Sequence, residues 1–302
     1  MKNSTFNILS FDGGGVRGAL SIKLLERIEN EISNIVKTSN MMSGTSTGSL
    51  IALGLAYGMS PSELSKLYSK ENIEYIFDKS YSQISRPKYD NDHLKEILLS
   101  IFPENLKLKD LGKLVIIPTF YVGDKDNSWK AIFYNNIPNS ETEDYRVVDV
   151  AMASSAAPVF FPSYDCHIDG GIIATDPSLA SIIYSIDKKL GKKIDQIRLL
   201  SFGTGYCYNS IKDDTSKWGA IEWVTSKNPD LPIIAVTIEG NSQISQIFSK
   251  KLLDSNYYRV NPKMDKDISM DDTKSIDYLL KLAEEYDIKS CINWVNNKWS
   301  KI

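Results

Sequence analysis

The sequence has few of the residues from which common catalytic and structural sites are built. Its 302 residues include only two histidines and three cysteines. The cysteines, Cys166, Cys207 and Cys291, are odd in number and widely spaced, which argues against a disulfide framework or a zinc site. The histidines are His93 and His167, so a site that needs imidazole must use one of these two. We therefore expect no disulfides and no metal centre.

Neither the charge nor the hydrophobic runs indicate nucleic acid binding or a membrane span. The formal net charge is -3, which gives no reason to expect nucleic acid as a partner. No apolar stretch approaches the roughly 18 residues that a membrane span requires. The first five residues lead directly into a strand-like run, without the pattern of a signal peptide. Together with the scarce cysteines, this predicts a cytoplasmic protein.

The first motif that indicates chemistry is a serine between two glycines. Residues 44–48 read Gly-Thr-Ser-Thr-Gly, which places Ser46 in a Gly-x-Ser-x-Gly pattern. This pattern is typical of a sharp strand-to-helix turn that exposes a serine hydroxyl. The helix that follows directs its N-terminus at the hydroxyl and favours developing negative charge. The same five residues also occur in ordinary loops, so the meaning of the motif depends on its partners.

A glycine-rich loop follows the strand-like run Asn7–Phe11. Its glycines at 13, 15 and 18 satisfy the G-x-G-x-x-G fingerprint of dinucleotide-binding oxidoreductases. That fingerprint also requires a second strand that ends in an acidic residue about 20 residues further on. Here the next strand-like segment ends in the Ser46 turn instead. What remains is a cluster of backbone N–H groups at a helix start, which suits an anion or an oxyanion.

A serine nucleophile needs a base, and the sequence offers two arrangements. Asp169 ends a short extended segment and precedes two glycines, and His167 lies two residues earlier on the same face. A Ser46–His167–Asp169 triad is one arrangement, although neighbours two residues apart are poorly placed for a carboxylate to support the imidazole from behind. The other is a dyad in which Asp169 contacts Ser46 directly. A carboxylate with a pKa near 4 is a poor base for an alcohol, so position and burial have to compensate.

Strand-like and helical segments alternate along the chain, which predicts an α/β fold with a largely parallel sheet. No repeat, low-complexity tract or linker interrupts the sequence. We therefore expect a single domain over residues 1–302, with a motif-bearing core at 7–205 and a helical portion at 206–302 packed on it. Glycine-marked turns after Phe11, at Ser46 and after Phe202 each follow a strand, so they are expected to meet at one edge of the sheet.

Three motifs in this order resemble those of the patatin-like phospholipase family: residues 12–18, residues 44–48 and Asp169-Gly170-Gly171. Residues 153–162 and 201–205 add supporting matches, and the resemblance covers roughly residues 7–205. It implies a three-layer α/β/α sandwich with a mostly parallel central sheet. It also implies a serine–aspartate dyad that needs no histidine, metal or cofactor.

The resemblance implies a role for each matching position. Ser46 is then the nucleophile and Asp169 the base. The oxyanion hole is then formed by Gly13, Gly14 and Gly15. Arg17 corresponds to the family's arginine in the glycine loop, and either contact with a phosphate headgroup or support of the loop is an open role for it.

These residues together predict a serine acyl hydrolase that cleaves fatty acyl esters of phospholipids or related lipids. Its partners are then membrane lipids or other acyl esters, met through peripheral membrane contact. An alternative of another class is a catalytically silent or ligand-gated lipid-binding effector of the same fold. The sequence leaves the lipid class, the acyl position and the oligomeric state open.

Overall fold

A mixed sheet flanked by helices forms the frame of the protein. The computed structural model describes residues 5–78, 86–208, 210–227 and 229–299. Its strands are β1 (Phe6–Phe11), β2 (Met41–Gly44), β3 (Leu114–Tyr121), β4 (Lys130–Asn135), β5 (His167–Asp169), β6 (Ile197–Phe202) and β7 (Tyr257–Val260). Its helices are α1 (Gly18–Glu31), α2 (Ile35–Thr38), α3 (Thr47–Tyr57), α4 (Pro61–Leu67), α5 (Lys70–Ile76), α6 (Asp92–Ile101), α7 (Val147–Ser154), α8 (Gly171–Ala174), α9 (Ser178–Ile186), α10 (Ala220–Thr225), α11 (Pro232–Leu253), α12 (Ile276–Glu285) and α13 (Lys289–Lys298).

The strands follow the order β4-β3-β2-β1-β6-β7, and β5 also pairs with β3. The pairs from β3 through β2, β1 and β6 to β7 are parallel, whereas β4 and β5 run antiparallel to β3. The register aligns Phe11 with Gly44 on one side and with Phe202 on the other. Three strands therefore end at the same level, as the glycine-marked turns predicted.

Two hydrophobic cores lie on opposite faces of the sheet because successive strand residues point to opposite sides. In β1, Leu9 belongs to the larger core, which also contains residues of α1, α3, α6, α7, α12 and α13. Its neighbour Ile8 belongs to the smaller core, where Ile182 of α9 packs. Helices thus cover both faces, and the predicted three-layer α/β/α sandwich with a mostly parallel sheet is confirmed.

The C-terminal third differs from the predicted helical portion at one element. Helices α10 to α13 are present, but residues 257–260 form the edge strand β7, which pairs in parallel with β6. A four-residue strand between two helices is too short to show a clear alternation, so the sequence pattern does not reveal it. This strand brings Arg259 to the side of the sheet where the glycine loop lies.

Among the described residues, no helix is both long enough and apolar enough to cross a membrane.

Candidate active site

Ser46 occupies a strained turn between β2 and α3. Its backbone has φ 54° and ψ −124°, a conformation that residues other than glycine rarely adopt. A Cβ at Gly44 would lie 1.9 Å from the carbonyl oxygen of Gly48, and one at Gly48 would lie 2.3 Å from that of Phe11. Both flanking positions therefore require glycine, because the turn packs backbone against backbone.

Neighbouring hydroxyl groups hold this turn in place. The backbone N–H of Ser46 donates to the Ser154 hydroxyl at 3.1 Å, and that hydroxyl donates to the carbonyl of Pro118 at 2.8 Å. The Thr45 hydroxyl donates to the Ala174 carbonyl at 2.6 Å. The strain at Ser46 is thus supported by contacts from β3, α7 and α8, which is how strained functional turns persist.

Asp169 lies against Ser46 at the end of β5. It is 6% exposed, and its carboxylate accepts hydrogen bonds from the Ser46 hydroxyl and, at 2.6 Å, from the backbone N–H of Gly171. Burial raises the pKa of Asp169 from 3.8 to about 6, and the two hydrogen bonds partly oppose that rise. Burial thus compensates for the weak basicity that an ordinary aspartate would have.

His167 binds groups other than this pair. Its Nε2 lies 3.0 Å from the Tyr134 hydroxyl, and its Nδ1 donates to the carbonyl oxygen of Asp165. The ring also packs against Tyr121. Both ring nitrogens are therefore engaged outside the Ser46–Asp169 pair, and the arrangement favours the dyad over the triad.

The glycine loop approaches Ser46 from β1. A Cβ at Gly13 would lie 3.4 Å from the Cβ of Ser46, so this loop is in contact with the serine. The N–H of Gly13 donates to the Thr175 carbonyl at 3.0 Å. No acceptor among the described residues binds the N–H groups of Gly14 and Gly15. These two N–H groups, rather than that of Gly13, are therefore available to a ligand.

Gly15 is fixed by the chain segment near residue 270. It has φ 58°, in the left-handed region, and a Cβ there would lie 2.1 Å from the carbonyl oxygen of Met270. That carbonyl also accepts the N–H of Val16 at 2.8 Å. The loop conformation thus depends on a residue far along the chain, in a region where the sequence shows no motif.

Arg17 ends the same loop and turns back onto it. Its Nε donates to the carbonyl of Gly14 at 3.4 Å. Burial lowers the pKa of Arg17, and the nearby carboxylates of Asp267 and Glu239 oppose that change. The side chain is therefore engaged with the loop and with acidic groups of the C-terminal third.

An apolar pocket opens beside Ser46 and Gly15. Its lining is mostly apolar. Its walls come from α3 to α6 and from the segments near residues 155–161 and 270. Among its lining side chains are Leu50, Ile73, Phe77, Leu98, Ile101 and Phe160. A pocket of this apolar character suits an aliphatic chain whose polar end lies at the serine.

A buried ion cluster, which sequence reasoning missed, lies behind the glycine loop. Arg259 of β7 binds both carboxylate oxygens of Asp12 and lies 3.3 Å from Asp176. It also donates to the Ser201 hydroxyl at 2.7 Å. Asp12 belongs to the glycine motif, but nothing in the sequence around Arg259 or Asp176 links them to it.

Comparison with known families gives one clear match for the N-terminal part of this chain. Residues 9–180 match a family model described as patatin-like phospholipase. This range includes the glycine loop, the Ser46 turn and Asp169, whereas Arg259 and the segment near residue 270 lie beyond it.

Individual relatives extend this similarity to nearly the full length. Protein teg of Priestia megaterium is 29% identical, covering 98% of this chain and 99% of that protein. A cGAMP-activated phospholipase of Vibrio cholerae is 31% identical over 68% of this chain and 65% of that protein. Patatin-08 of Solanum tuberosum is 27% identical over 84% of this chain and 75% of that protein.

Proposed function

This chain belongs to the patatin-like phospholipase family, and from that premise we propose that it is a serine acyl hydrolase with Ser46 as nucleophile and Asp169 as base. Membership in the family supports lipid acyl hydrolase activity in general. The observation that carries the specific proposal is the contact between the strained Ser46 and the buried carboxylate of Asp169. A hydroxyl and a base in hydrogen-bond contact are what nucleophilic catalysis by serine requires.

In the proposed first step, the Ser46 Oγ attacks the ester carbonyl carbon while Asp169 takes the hydroxyl proton. The carbonyl oxygen becomes an oxyanion beside the glycine loop. When the intermediate collapses, the bond to the alcohol breaks and Asp169 returns the proton to that alcohol. The product left on the protein is an acyl ester of Ser46.

In the second step, water attacks the acyl ester and Asp169 takes one of its protons. The ester bond to Ser46 breaks, the proton returns to the Ser46 Oγ, and a fatty acid leaves. The raised pKa of Asp169, about 6, lets the same carboxyl accept and release protons near neutral pH.

The N–H groups of Gly14 and Gly15 are the proposed oxyanion donors. They lack acceptors among the described residues, whereas the N–H of Gly13 is bound to Thr175. The proposed role of Gly13 is then to let the loop pack closely against Ser46, and not to donate a hydrogen bond to the oxyanion. The resemblance implied an oxyanion hole of three glycines, and the proposal retains two of them, Gly14 and Gly15, as donors.

The apolar pocket supports a fatty acyl ester as the substrate. An acyl chain in it gains about 0.8 kcal/mol for each buried CH₂ group, which favours long chains over short ones. The family description and the relative named as a cGAMP-activated phospholipase suggest phospholipids or related lipids. A substrate of this kind requires peripheral contact with a membrane, and the cytoplasm is the proposed location.

Loop support is the role that we assign to Arg17. Its contact with the carbonyl of Gly14 stabilises the orientation in which the next N–H groups face the site. The carboxylates of Asp267 and Glu239 near Arg17 disfavour an anionic headgroup at the same place.

The proposal is tested with p-nitrophenyl ester hydrolysis by Ser46→Ala and Asp169→Asn proteins. Both are expected to lose nearly all turnover while remaining folded. Ser100→Ala is the matched control, since this hydroxyl is exposed and bonds only within α6. A fluorophosphonate probe is expected to label the wild type at Ser46. Near wild-type turnover in either active-site variant contradicts the dyad, and absence of both labelling and turnover in the wild type favours the silent effector.

A further inference from the structure

Arg259 is a buried arginine that no step of the proposed reaction uses. It is 13% exposed, and its guanidinium lies between two carboxylates that are 5% and 0% exposed, Asp12 and Asp176. With Asp12 it makes a two-pronged contact, one nitrogen to each oxygen. Such a fork fixes the orientation of the carboxylate as well as its distance.

The two carboxylates belong to the two segments that a hydrolytic site must hold together. Asp12 directly precedes the glycine loop. Asp176 follows α8, which begins directly after the Asp169-Gly170 pair. At the neighbouring positions the N–H of Gly13 donates to the Thr175 carbonyl. Gly13 is thus bound directly to Thr175, and Asp12 is linked to Asp176 through Arg259.

The same segment also binds the serine turn. The Ala174 carbonyl accepts the Thr45 hydroxyl, one residue before Ser46. Ala174 therefore binds the serine turn, Thr175 binds the glycine loop and Asp176 binds Arg259. A shift of Asp176 relative to Asp12 changes the position of the glycine N–H groups relative to Ser46.

We infer that Arg259 is a positioning residue, which holds the glycine loop in register with the segment that carries Asp169. The expected effect on kcat rests on the proposed function, but the effect on the position of the loop can be measured separately. Arg259 touches neither Ser46 nor the apolar pocket. It acts through Asp12 and Asp176, so its loss changes the rate of the chemical step rather than substrate binding.

The test compares Arg259→Gln and Arg259→Lys with the wild type and with Ser46→Ala on a p-nitrophenyl ester. Arg259→Gln is expected to lower kcat about 10²-fold with KM unchanged, because a displaced donor loop weakens only the transition state. Arg259→Lys keeps the charge but not the fork, so an intermediate kcat is expected. Ser46-dependent turnover of the wild type establishes separately that the proposed function holds.

Hydrogen–deuterium exchange supplies a readout that does not depend on catalysis. In Arg259→Gln, exchange is expected to increase in peptides that cover residues 12–16 and 174–176. The matched control is Arg27→Gln, because Arg27 binds the carbonyls of Ala283 and Tyr286 far from the glycine loop. This control is expected to retain kcat and to loosen only the contact between α1 and α12.

Arg259→Gln leaves two buried carboxylates without their cation and can prevent folding. A variant that combines it with Asp12→Asn and Asp176→Asn removes those charges and is expected to fold with a similarly low kcat. Wild-type kcat in this variant or in folded Arg259→Gln overturns the inference. So does unchanged exchange in residues 12–16, or an equal loss of kcat in Arg27→Gln.

Discussion

The Ser46 hydroxyl hydrogen-bonds the carboxylate of Asp169, although β2 and β5 are not neighbours in the sheet. Both strands pair with β3 on the edge opposite β4, β2 along residues 114–116 and β5 along residues 119–121. The contact is possible because β5 continues along this edge beyond the end of β2, and Ser46 lies in the turn that follows β2. The partners are thus defined by the sheet order rather than by distance along the chain.

The buried carboxyl of Asp169 predicts a pH profile for catalysis. Its pKa is about 6, and only the ionised form can take the serine proton. We expect kcat/KM for a p-nitrophenyl ester to rise with pH through about 6 and then to level off. Initial rates between pH 4 and 8 at constant ionic strength measure it. A profile that is already flat at pH 5 contradicts this assignment of the base.

The same carboxyl predicts that Asp169→Asn stabilises the folded protein at neutral pH. The folded pKa of about 6 lies above the ordinary 3.8, so between these values the folded state holds a proton that the unfolded state has released. Wild-type stability therefore falls as pH rises from 3.8 to about 6, and stays reduced above that range. The penalty is about 3 kcal/mol, from about 1.4 kcal/mol for each pKa unit.

Asparagine carries no such penalty and still accepts the Gly171 N–H through its oxygen. Thermal melts of Asp169→Asn and wild type are expected to differ at pH 8 and to converge near pH 3.5. A lower Tm for the variant at pH 8 is the contrary result. Because the same substitution is expected to remove turnover, the proposed site would exchange stability for function.

Replacing His167 separates the dyad from the triad. Because its ring binds Tyr134 and the Asp165 carbonyl, His167→Ala is expected to lower Tm while kcat per folded molecule stays within about tenfold of the wild type. The measurement is kcat on a p-nitrophenyl ester, corrected for the folded fraction by circular dichroism. A loss of several orders of magnitude establishes the triad instead.

Gly15→Ala is expected to abolish most activity because the added Cβ collides with the backbone of Met270. The loop has to move, and loss of an oxyanion donor costs about 10² to 10³ in kcat. Gly240→Ala in α11 is the matched control, since nothing lies within 4 Å of a Cβ there. It is expected to keep wild-type kcat and to gain up to about 1 kcal/mol in unfolding free energy. Full activity in Gly15→Ala refutes the role of the loop.

The apolar pocket predicts that a larger side chain in its wall shortens the accepted acyl chain. Ile101→Trp is expected to lower kcat/KM for p-nitrophenyl laurate while leaving p-nitrophenyl acetate hydrolysis intact. Leu99→Trp is the control, because Leu99 lies on the same helix, is 40% exposed and does not line the pocket. An equal loss with both esters shows a general defect in folding and not a change in chain-length selection.

Much of the site was accessible from the sequence because its motifs report local backbone requirements. Gly44 and Gly48 are needed by the turn itself, and their spacing predicts that turn without knowledge of any distant residue. The glycine loop and the Asp169-Gly170-Gly171 stretch likewise follow strands and carry their own turn signals. The layered α/β fold follows from the alternation of strands and helices.

Other features depend on contacts that no local pattern encodes. The N–H of Gly13 is unavailable because the Thr175 carbonyl lies opposite it, and Arg259 reaches Asp12 only because β7 pairs with β6. Strand β7 itself is too short to be distinguished by periodicity.

The sequence by itself determined the chain's fold class and the candidate residues for its chemistry, because turns and periodicities are properties of neighbouring residues. The tertiary structure decided which glycine N–H groups are available to a ligand, which side chain hydrogen-bonds Ser46, and how far burial raises the pKa of Asp169. Those properties arise from desolvation and from hydrogen bonds between distant segments, and they exist only once the sheet has brought the segments together.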